Sequence, residues 1–210
     1  MQLQFSRREL RDLAAAWLAL GVAFALLLEP QLRNVFFGRF GGLTTAEIAQ
    51  PVVVSLLTAG IGMLLHELAH KVVAVRFGQV AAFRADYRML GFAIVGALVG
   101  FLFAAPGAVV HRGRITPREG GLIAVAGPVT NLVLSVLFLL PFGLAITTGS
   151  DGLLWDLARR GLQINLLLAG FNMLPFGPLD GRKVRAWSNV VWVAVAVPSI
   201  LLAIGAFLLL

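Results

Sequence analysis

The stretch Leu64-Leu65-His66-Glu67-Leu68-Ala69-His70 decides how the rest of this chain is interpreted. It has the pattern His-Glu-x-x-His and lies in an apolar run from about Pro51 to Val75. Residues i and i+4 share one face of a helix, so His66 and His70 can bind one metal ion. Glu67 is placed to accept a proton from water at that metal. An ionisable residue inside a hydrocarbon-length segment is costly, which indicates a functional site.

The composition is that of a membrane protein. Of the 210 residues, 59% are hydrophobic, whereas soluble domains are about 45–50% apolar. Several apolar runs approach or exceed the roughly 18 residues that indicate a spanning helix. The chain has no cysteine, so a metal site must be built from His, Asp and Glu side chains.

The formal net charge is +7. In a soluble protein this charge would favour nucleic-acid binding. In this chain the basic residues cluster at the ends of apolar runs, as the positive-inside rule describes. We therefore expect the lipid bilayer, and no nucleic acid, as a partner.

The order of apolar and polar segments predicts an all-α polytopic membrane protein with about five to six transmembrane helices. We divide it into an N-terminal transmembrane helix and loop (1–50), a membrane-embedded core (51–185) and a C-terminal transmembrane helix (186–210). The first apolar run, 13–28, is predicted to be an uncleaved helix, with a cleaved signal peptide as the alternative.

Three polar stretches are predicted to lie outside the spanning helices. Residues 1–12 are predicted to form an amphipathic or frayed lead-in, and 147–160 a loop. Residues 31–50 are also predicted to be a loop, closed by a capping box at Thr44-Thr45-Ala46-Glu47 that begins the second helix.

A β-like or re-entrant segment is predicted after the His-Glu-x-x-His helix. Residues 78–88 alternate and indicate a short strand at the membrane surface, and the apolar run 89–110 is broken at Ala105-Pro106-Gly107. If that run dips into the membrane and returns, thirteen basic residues lie on the cytoplasmic side and four outside, which agrees with the positive-inside rule. This favours five spans plus the re-entrant segment, with a sixth span as the alternative.

The same topology brings Asp180 to the membrane side that carries the histidine pair, nearer the cytoplasm. Of the ten acidic residues, Glu67 and Asp180 are the two placed in a spanning helix or at its immediate end. Two His and one carboxylate, with an open fourth position, form a set typical of catalytic zinc. The alternative for Asp180 is a helix-capping residue or a partner of Arg182.

Three further polar residues have open roles. Asn172 precedes Asp180 in a Pro-broken segment and can donate to a tetrahedral oxyanion, with an interhelical hydrogen bond as the alternative. Asn131 is predicted to pack or to bond between helices rather than to catalyse. His111, beside Arg112 and Arg114, is predicted to be interfacial.

Three motifs, in this order, resemble the site-2 protease family of intramembrane zinc metalloproteases: His66-Glu67-x-x-His70, Gly127-Pro128-x-x-Asn131 and Asn172-x-x-Pro175-x-x-Pro178-x-Asp180-Gly181. The resemblance covers about residues 52–185. No PDZ or CBS module, which many members carry, is evident.

The resemblance implies a function and a set of roles. One zinc ion per chain would be bound by His66, His70 and Asp180. Glu67 would be the catalytic base, and Asn172 would lie near the substrate carbonyl. Substrates would be transmembrane helices of other proteins, cut within the bilayer.

Two other classes of function fit a membrane metal site. One is a non-proteolytic metal-binding protein or zinc transporter, and the other is a catalytically idle relative that retains membrane partners. A transporter usually needs polar groups along a path through several helices, whereas the polar groups of this chain converge at one depth.

Overall fold

The computed structural model describes residues 3–39, 41–102 and 106–210. The helices are α1 (Arg7–Leu28), α2 (Pro30–Phe36), α3 (Thr45–Ser55), α4 (Ile61–Arg76), α5 (Tyr87–Leu98), α6 (Pro117–Thr148), α7 (Leu153–Asn172), α8 (Asp180–Trp187) and α9 (Asn189–Leu209). A π-helical turn, Leu56–Gly60, joins α3 to α4. Strands β1 (Val80–Ala85) and β2 (Gly107–Arg112) pair antiparallel, with Phe83 opposite Val109.

Four helical segments of the described chain are long and apolar enough to cross a membrane: 7–28, 45–76, 117–148 and 189–209. Helix α7 has 20 residues but carries three charged side chains, Asp156, Arg159 and Arg160, in its first half. These four helices identify the chain as a membrane protein. The count of five to six spans stays a prediction.

The β-like segment after the histidine helix is confirmed as strand β1. Helix α5 has 12 residues and is therefore about 18 Å long, too short to cross a hydrocarbon core of about 30 Å. The re-entrant path of 89–110 stays a prediction, and Ala105 of the predicted break lies outside the described residues. The partner strand β2 was not predicted, because apolar residues on both of its faces hide the alternation.

Of the two predictions for residues 1–12, an amphipathic or a frayed lead-in, the frayed one is wrong for residues 7–12. Ser6 caps α1 by accepting a hydrogen bond from the Glu9 backbone at 3.1 Å, so the helix begins at Arg7. Glu9 and Asp12 are 1% and 2% exposed. These acidic residues are buried because helix α4 and strand β1 supply partners for them.

Both predicted loops contain helix. Helix α2 begins at Pro30, a favourable first helical residue, and its other residues occupy the start of the predicted loop 31–50. Gly149 ends α6 with a left-handed φ of 64°, so α7 begins at Leu153 within the predicted loop 147–160. The predicted capping box of Thr44 and Glu47 is confirmed.

Helix α1 crosses the π-helical turn that precedes the histidine helix. The Trp17 indole N–H donates to the Leu56 carbonyl at 3.0 Å. A Cβ at Gly60 would lie 2.6 Å from Trp17 Cδ1, so this close approach requires glycine. The crossing fixes the start of α4 and hence the direction in which its histidines point.

A buried ion pair ties the end of α4 to the N-terminal segment. Lys71 Nζ lies 2.7 Å from both carboxylate oxygens of Glu9, and it donates to the Gln4 carbonyl at 2.5 Å. Glu9 also accepts a hydrogen bond from the Phe83 backbone of β1 at 3.0 Å. One carboxylate therefore joins α1, α4 and β1 directly beside His70.

We expect Lys71→Met to lower the free energy of unfolding by about 3–5 kcal/mol, because it leaves a buried carboxylate without its cation. Denaturant unfolding in detergent micelles measures this. The double variant Lys71→Met/Glu9→Met should recover part of the loss. Arg11→Gln is the control, because Arg11 is 70% exposed and 3.9 Å from Asp12, and it should change stability by less than about 0.5 kcal/mol. Equal effects of Lys71→Met and Arg11→Gln would contradict the prediction.

Candidate metal centre

Asp180 lies against both histidines of the His-Glu-x-x-His motif. Its Oδ2 is 3.2 Å from His66 Nε2 and 3.1 Å from His70 Nε2. The two imidazole rings are nearly perpendicular, at 85°, with centroids 4.6 Å apart. All three side chains are buried, at 2%, 7% and 9% exposure. The structure thus brings together the three predicted ligands.

Tight turns place Asp180 at the first position of α8. A Cβ at Gly181 would collide with the Met173 carbonyl oxygen, so the chain can fold back this closely only with glycine. The same carbonyl accepts a hydrogen bond from the Trp192 indole at 2.8 Å. Among the described residues, Asp180 pairs with the two histidines and not with Arg182.

Each histidine makes a hydrogen bond through its Nδ1 atom, the ring nitrogen that does not face Asp180. His66 Nδ1 lies 2.6 Å from Asn131 Oδ1, and His70 Nδ1 lies 2.7 Å from the Ile123 carbonyl. Both partners are acceptors, so both Nδ1 atoms carry the hydrogen. Nε2 is therefore the nitrogen through which each histidine can bind a metal beside Asp180, as in other metal-binding histidines.

This donor set fits a zinc ion. Two unprotonated Nε2 atoms and a carboxylate oxygen at 3.1–3.2 Å would repel one another, and either protons or a metal cation between them removes this repulsion. The potential ligand atoms all lie within 4.8 Å of one another. Tetrahedral zinc with bonds of about 2.0 Å would separate its ligands by about 3.3 Å, close to the distances observed.

One carboxylate oxygen of Glu67 is available to accept a proton. The residue is 6% exposed, and its Oε2 is buried without a hydrogen-bond partner in the described part of the chain. The backbone N–H of Val109 in β2 interacts with the same carboxylate. A buried oxygen without a partner is costly, so this position is consistent with a functional role.

A cavity of about 390 Å³ opens over these residues. Its polar wall contains the two histidines, Glu67, Asp180 and Asn172. Its apolar wall is formed by side chains of α1, α4 and α7, which include Leu20, Phe24, Leu27, Met63, Leu167 and Leu168. A polypeptide segment that enters this cavity meets the candidate metal position directly.

Asn172 and His111 line the same cavity. The Asn172 amide donates to the Leu168 carbonyl at 2.9 Å, which leaves its oxygen and one N–H for other partners. Its role at the substrate carbonyl stays a prediction. Burial, and then the nearby Lys183 ammonium, lower the pKa of the half-buried His111 below its usual range.

Gly127 and Asn131 of α6 enclose the His66 ring from one side. Asn131 binds Nδ1, and a Cβ at Gly127 would lie 2.5 Å from His66 Nε2. The predicted hydrogen bonding of Asn131 between helices is confirmed, because Asn131 joins α6 to α4 and α7. Its contact with the candidate ligand His66 was not predicted, although the i, i+4 spacing of Gly127 and Asn131 indicates a shared helix face.

We expect Gly127→Ala to weaken zinc binding and to slow hydrolysis by about 100-fold, because the added methyl group displaces the His66 ring. Zinc titration and a peptide-cleavage assay measure the two effects. Gly143→Ala is the matched control on the same helix, because a Cβ at Gly143 meets no atom within 4 Å. The prediction fails if the two variants behave alike.

Comparison with known proteins identifies the class. The chain is 38% identical over 200 residues to "Putative zinc metalloprotease MJ0611" of Methanocaldococcus jannaschii, which covers 94% of this chain and 93% of that protein. It is 35% identical over 150 residues to "Putative zinc metalloprotease YwhC" of Bacillus subtilis, at 61% and 66% coverage. It is 28% identical over 126 residues to "Zinc metalloprotease MJ0392" of M. jannaschii, at 59% and 31% coverage. No family profile and no solved structure matches the chain.

In this chain two histidines, an aspartate and a buried glutamate surround one position. Its relatives are zinc metalloproteases by name, and the chain belongs to the same class. The names of these relatives agree with the site-2 protease family that the three motifs resemble. The predicted zinc cofactor is confirmed.

Proposed function

We propose that this protein is an intramembrane zinc metalloendopeptidase, which hydrolyses peptide bonds within transmembrane segments of membrane-protein substrates in regulated intramembrane proteolysis. One observation carries the proposal: three converging ligand atoms lie in one cavity with a Glu67 oxygen that has no hydrogen-bond partner among the described residues. This cavity lies among helices long and apolar enough to cross a membrane.

In this mechanism His66, His70 and Asp180 would hold the metal. Zinc bound there would supply Lewis-acid polarisation of the scissile carbonyl and lower the pKa of water. Glu67 accepts the proton of the attacking water and delivers it to the leaving amine. The free N–H of Asn172 donates to the oxyanion that develops on the carbonyl.

The proposed orientation places the site nearer the cytoplasmic face of the cell membrane. The supporting observation is the charge distribution. Arg76 follows the histidines on α4, and Arg182 and Lys183 follow Asp180 on α8. Basic residues favour the cytoplasmic side, so both halves of the site belong there.

The proposed substrates are transmembrane helices that unwind readily. A peptide bond within a helix is hydrogen-bonded and screened from attack. Gly lowers helix stability by about 1 kcal/mol and Pro by about 3 kcal/mol. We expect spans with Gly, Pro or Asn near the cut to be cleaved at least about fivefold faster than a poly-Leu span.

Liposomes that contain the purified protein test this function. Two labelled single-span substrates, one with a Gly-Pro step and one with a uniform Leu span, are reconstituted beside it, and a zinc-sensitive dye is enclosed. Faster cleavage of the Gly-Pro span supports the proposal, and equal rates contradict the need for unwinding. Zinc flux without cleavage would instead identify a transporter, and zinc binding without either would identify an idle relative.

A further inference from the structure

Asn165 is a fully buried polar residue that the proposed mechanism does not use. It lies in the middle of α7 at 0% exposure and outside the three motifs. Its Oδ1 accepts a hydrogen bond from Asn131 Nδ2 at 3.0 Å, and its own Nδ2 donates to the Gly161 carbonyl at 2.8 Å. Asn165 is thus one contact removed from the residue that holds His66.

Backbone carbonyls fix the direction of every hydrogen bond in this chain of contacts. The Gly161 carbonyl can only accept, so Asn165 must turn its amide nitrogen towards it and its oxygen towards Asn131. The Gly62 carbonyl accepts from Asn131 Nδ2 at 3.1 Å, so both N–H groups of Asn131 are used. Its oxygen therefore has one orientation, which faces His66 Nδ1.

A glycine on the neighbouring helix α4 leaves room for Asn165 to approach Asn131. A Cβ at Gly62 on α4 would lie 2.7 Å from Asn165 Oδ1, so a larger residue would push the amide away from Asn131. Without Asn165, one N–H of the fully buried Asn131 would lose its partner, which is unfavourable for a buried polar group. Asn131 would then turn or tilt to recover a bond, and its hold on His66 would weaken.

We propose that Asn165 is a positioning residue that sets zinc affinity. It holds the Asn131 amide, and through it the Nδ1-protonated tautomer of His66, whose Nε2 faces the metal. Loss of such an outer partner typically weakens metal binding about 10–100-fold. The inference rests on the proposed ligand set His66, His70 and Asp180.

Zinc titration of the full-length purified protein tests this inference, with three variants. Asn165→Leu keeps the volume and removes the amide, and its zinc dissociation constant should rise about 10–100-fold. Asn165→Asp keeps an acceptor for Asn131 and, when protonated, a donor for Gly161, so its affinity should stay within about threefold of the parent. Gln163→Leu is the matched control, because Gln163 is 2% exposed on the same helix and donates to the Ala206 carbonyl. Its zinc affinity should not change.

The outcomes separate this inference from the proposed function. A parent protein that binds no zinc overturns the metal site itself. A parent that binds zinc, with Asn165→Leu equally tight or with Gln163→Leu equally weak, overturns the role of Asn165 alone. Nitrogen-15 NMR of histidine in the zinc-loaded parent gives a test that needs no variant to fold. A His66 Nδ1 proton that is protected from exchange, as a hydrogen bond to a fixed Asn131 amide requires, supports the inference, and an unprotonated or rapidly exchanging Nδ1 overturns it.

Discussion

Asp180→Asn is expected to lower the affinity for zinc by more than about 100-fold, because loss of an outer partner alone costs about 10–100-fold and this change removes a proposed ligand. The amide keeps the size of the side chain but loses its negative charge. Two neutral imidazoles then retain a dication poorly. Peptide hydrolysis should disappear together with the metal.

Metal analysis after gel filtration, followed by competitive titration, measures this loss. Asp156→Asn is the control, because Asp156 lies in the first turn of α7 and accepts a hydrogen bond from Gln50 at 2.8 Å. That variant should bind zinc like the parent. Full zinc occupancy and parental affinity in Asp180→Asn would show that the third ligand lies elsewhere.

Glu67→Gln has the second large expected effect, which falls on turnover and not on binding of the metal. The amide has nearly the shape of the carboxylate but cannot accept the proton from water. Removal of a general base typically lowers kcat by about 10²–10⁴-fold. The three proposed ligands are untouched, so the zinc content and affinity should equal those of the parent.

Single-turnover cleavage assays and zinc analysis on the same sample measure both quantities. Turnover by Glu67→Gln near the parental rate would assign the base to another residue. Loss of zinc in this variant would assign Glu67 to the ligands. The two variants therefore have different signatures, because Asp180→Asn loses metal and activity, whereas Glu67→Gln loses activity alone.

The centre of the site could be predicted because its pattern is local and its setting is unusual. His66 and His70 could be predicted as ligands because residues i and i+4 share one face of a helix. Glu67 could be predicted as functional because a charged residue in an apolar run is costly. Asp180 lies 114 positions from His66, and charge distribution indicated that both lie on one side. The structure brings these residues together as that reasoning required.

The residues that hold the ligands in place could not be predicted, because their partners are distant in sequence and their local sequence patterns are ordinary. Lys71 and Glu9, 62 positions apart, each look like a charge at the end of a span. Asn165 lies in an apolar helix and carries no periodic signal. The pairing of β1 with β2 likewise depends on tertiary contacts that a run of small apolar residues does not reveal.

Mapping the cleaved bond tests the central claim most directly. The parent and Glu67→Gln are reconstituted in liposomes with a labelled single-span substrate, and the products are identified by mass spectrometry. We expect the parent to cut a peptide bond within the apolar span and Glu67→Gln to leave the substrate intact. Cleavage confined to the polar flanks, or equal cleavage by both proteins, would contradict intramembrane proteolysis at this metal centre.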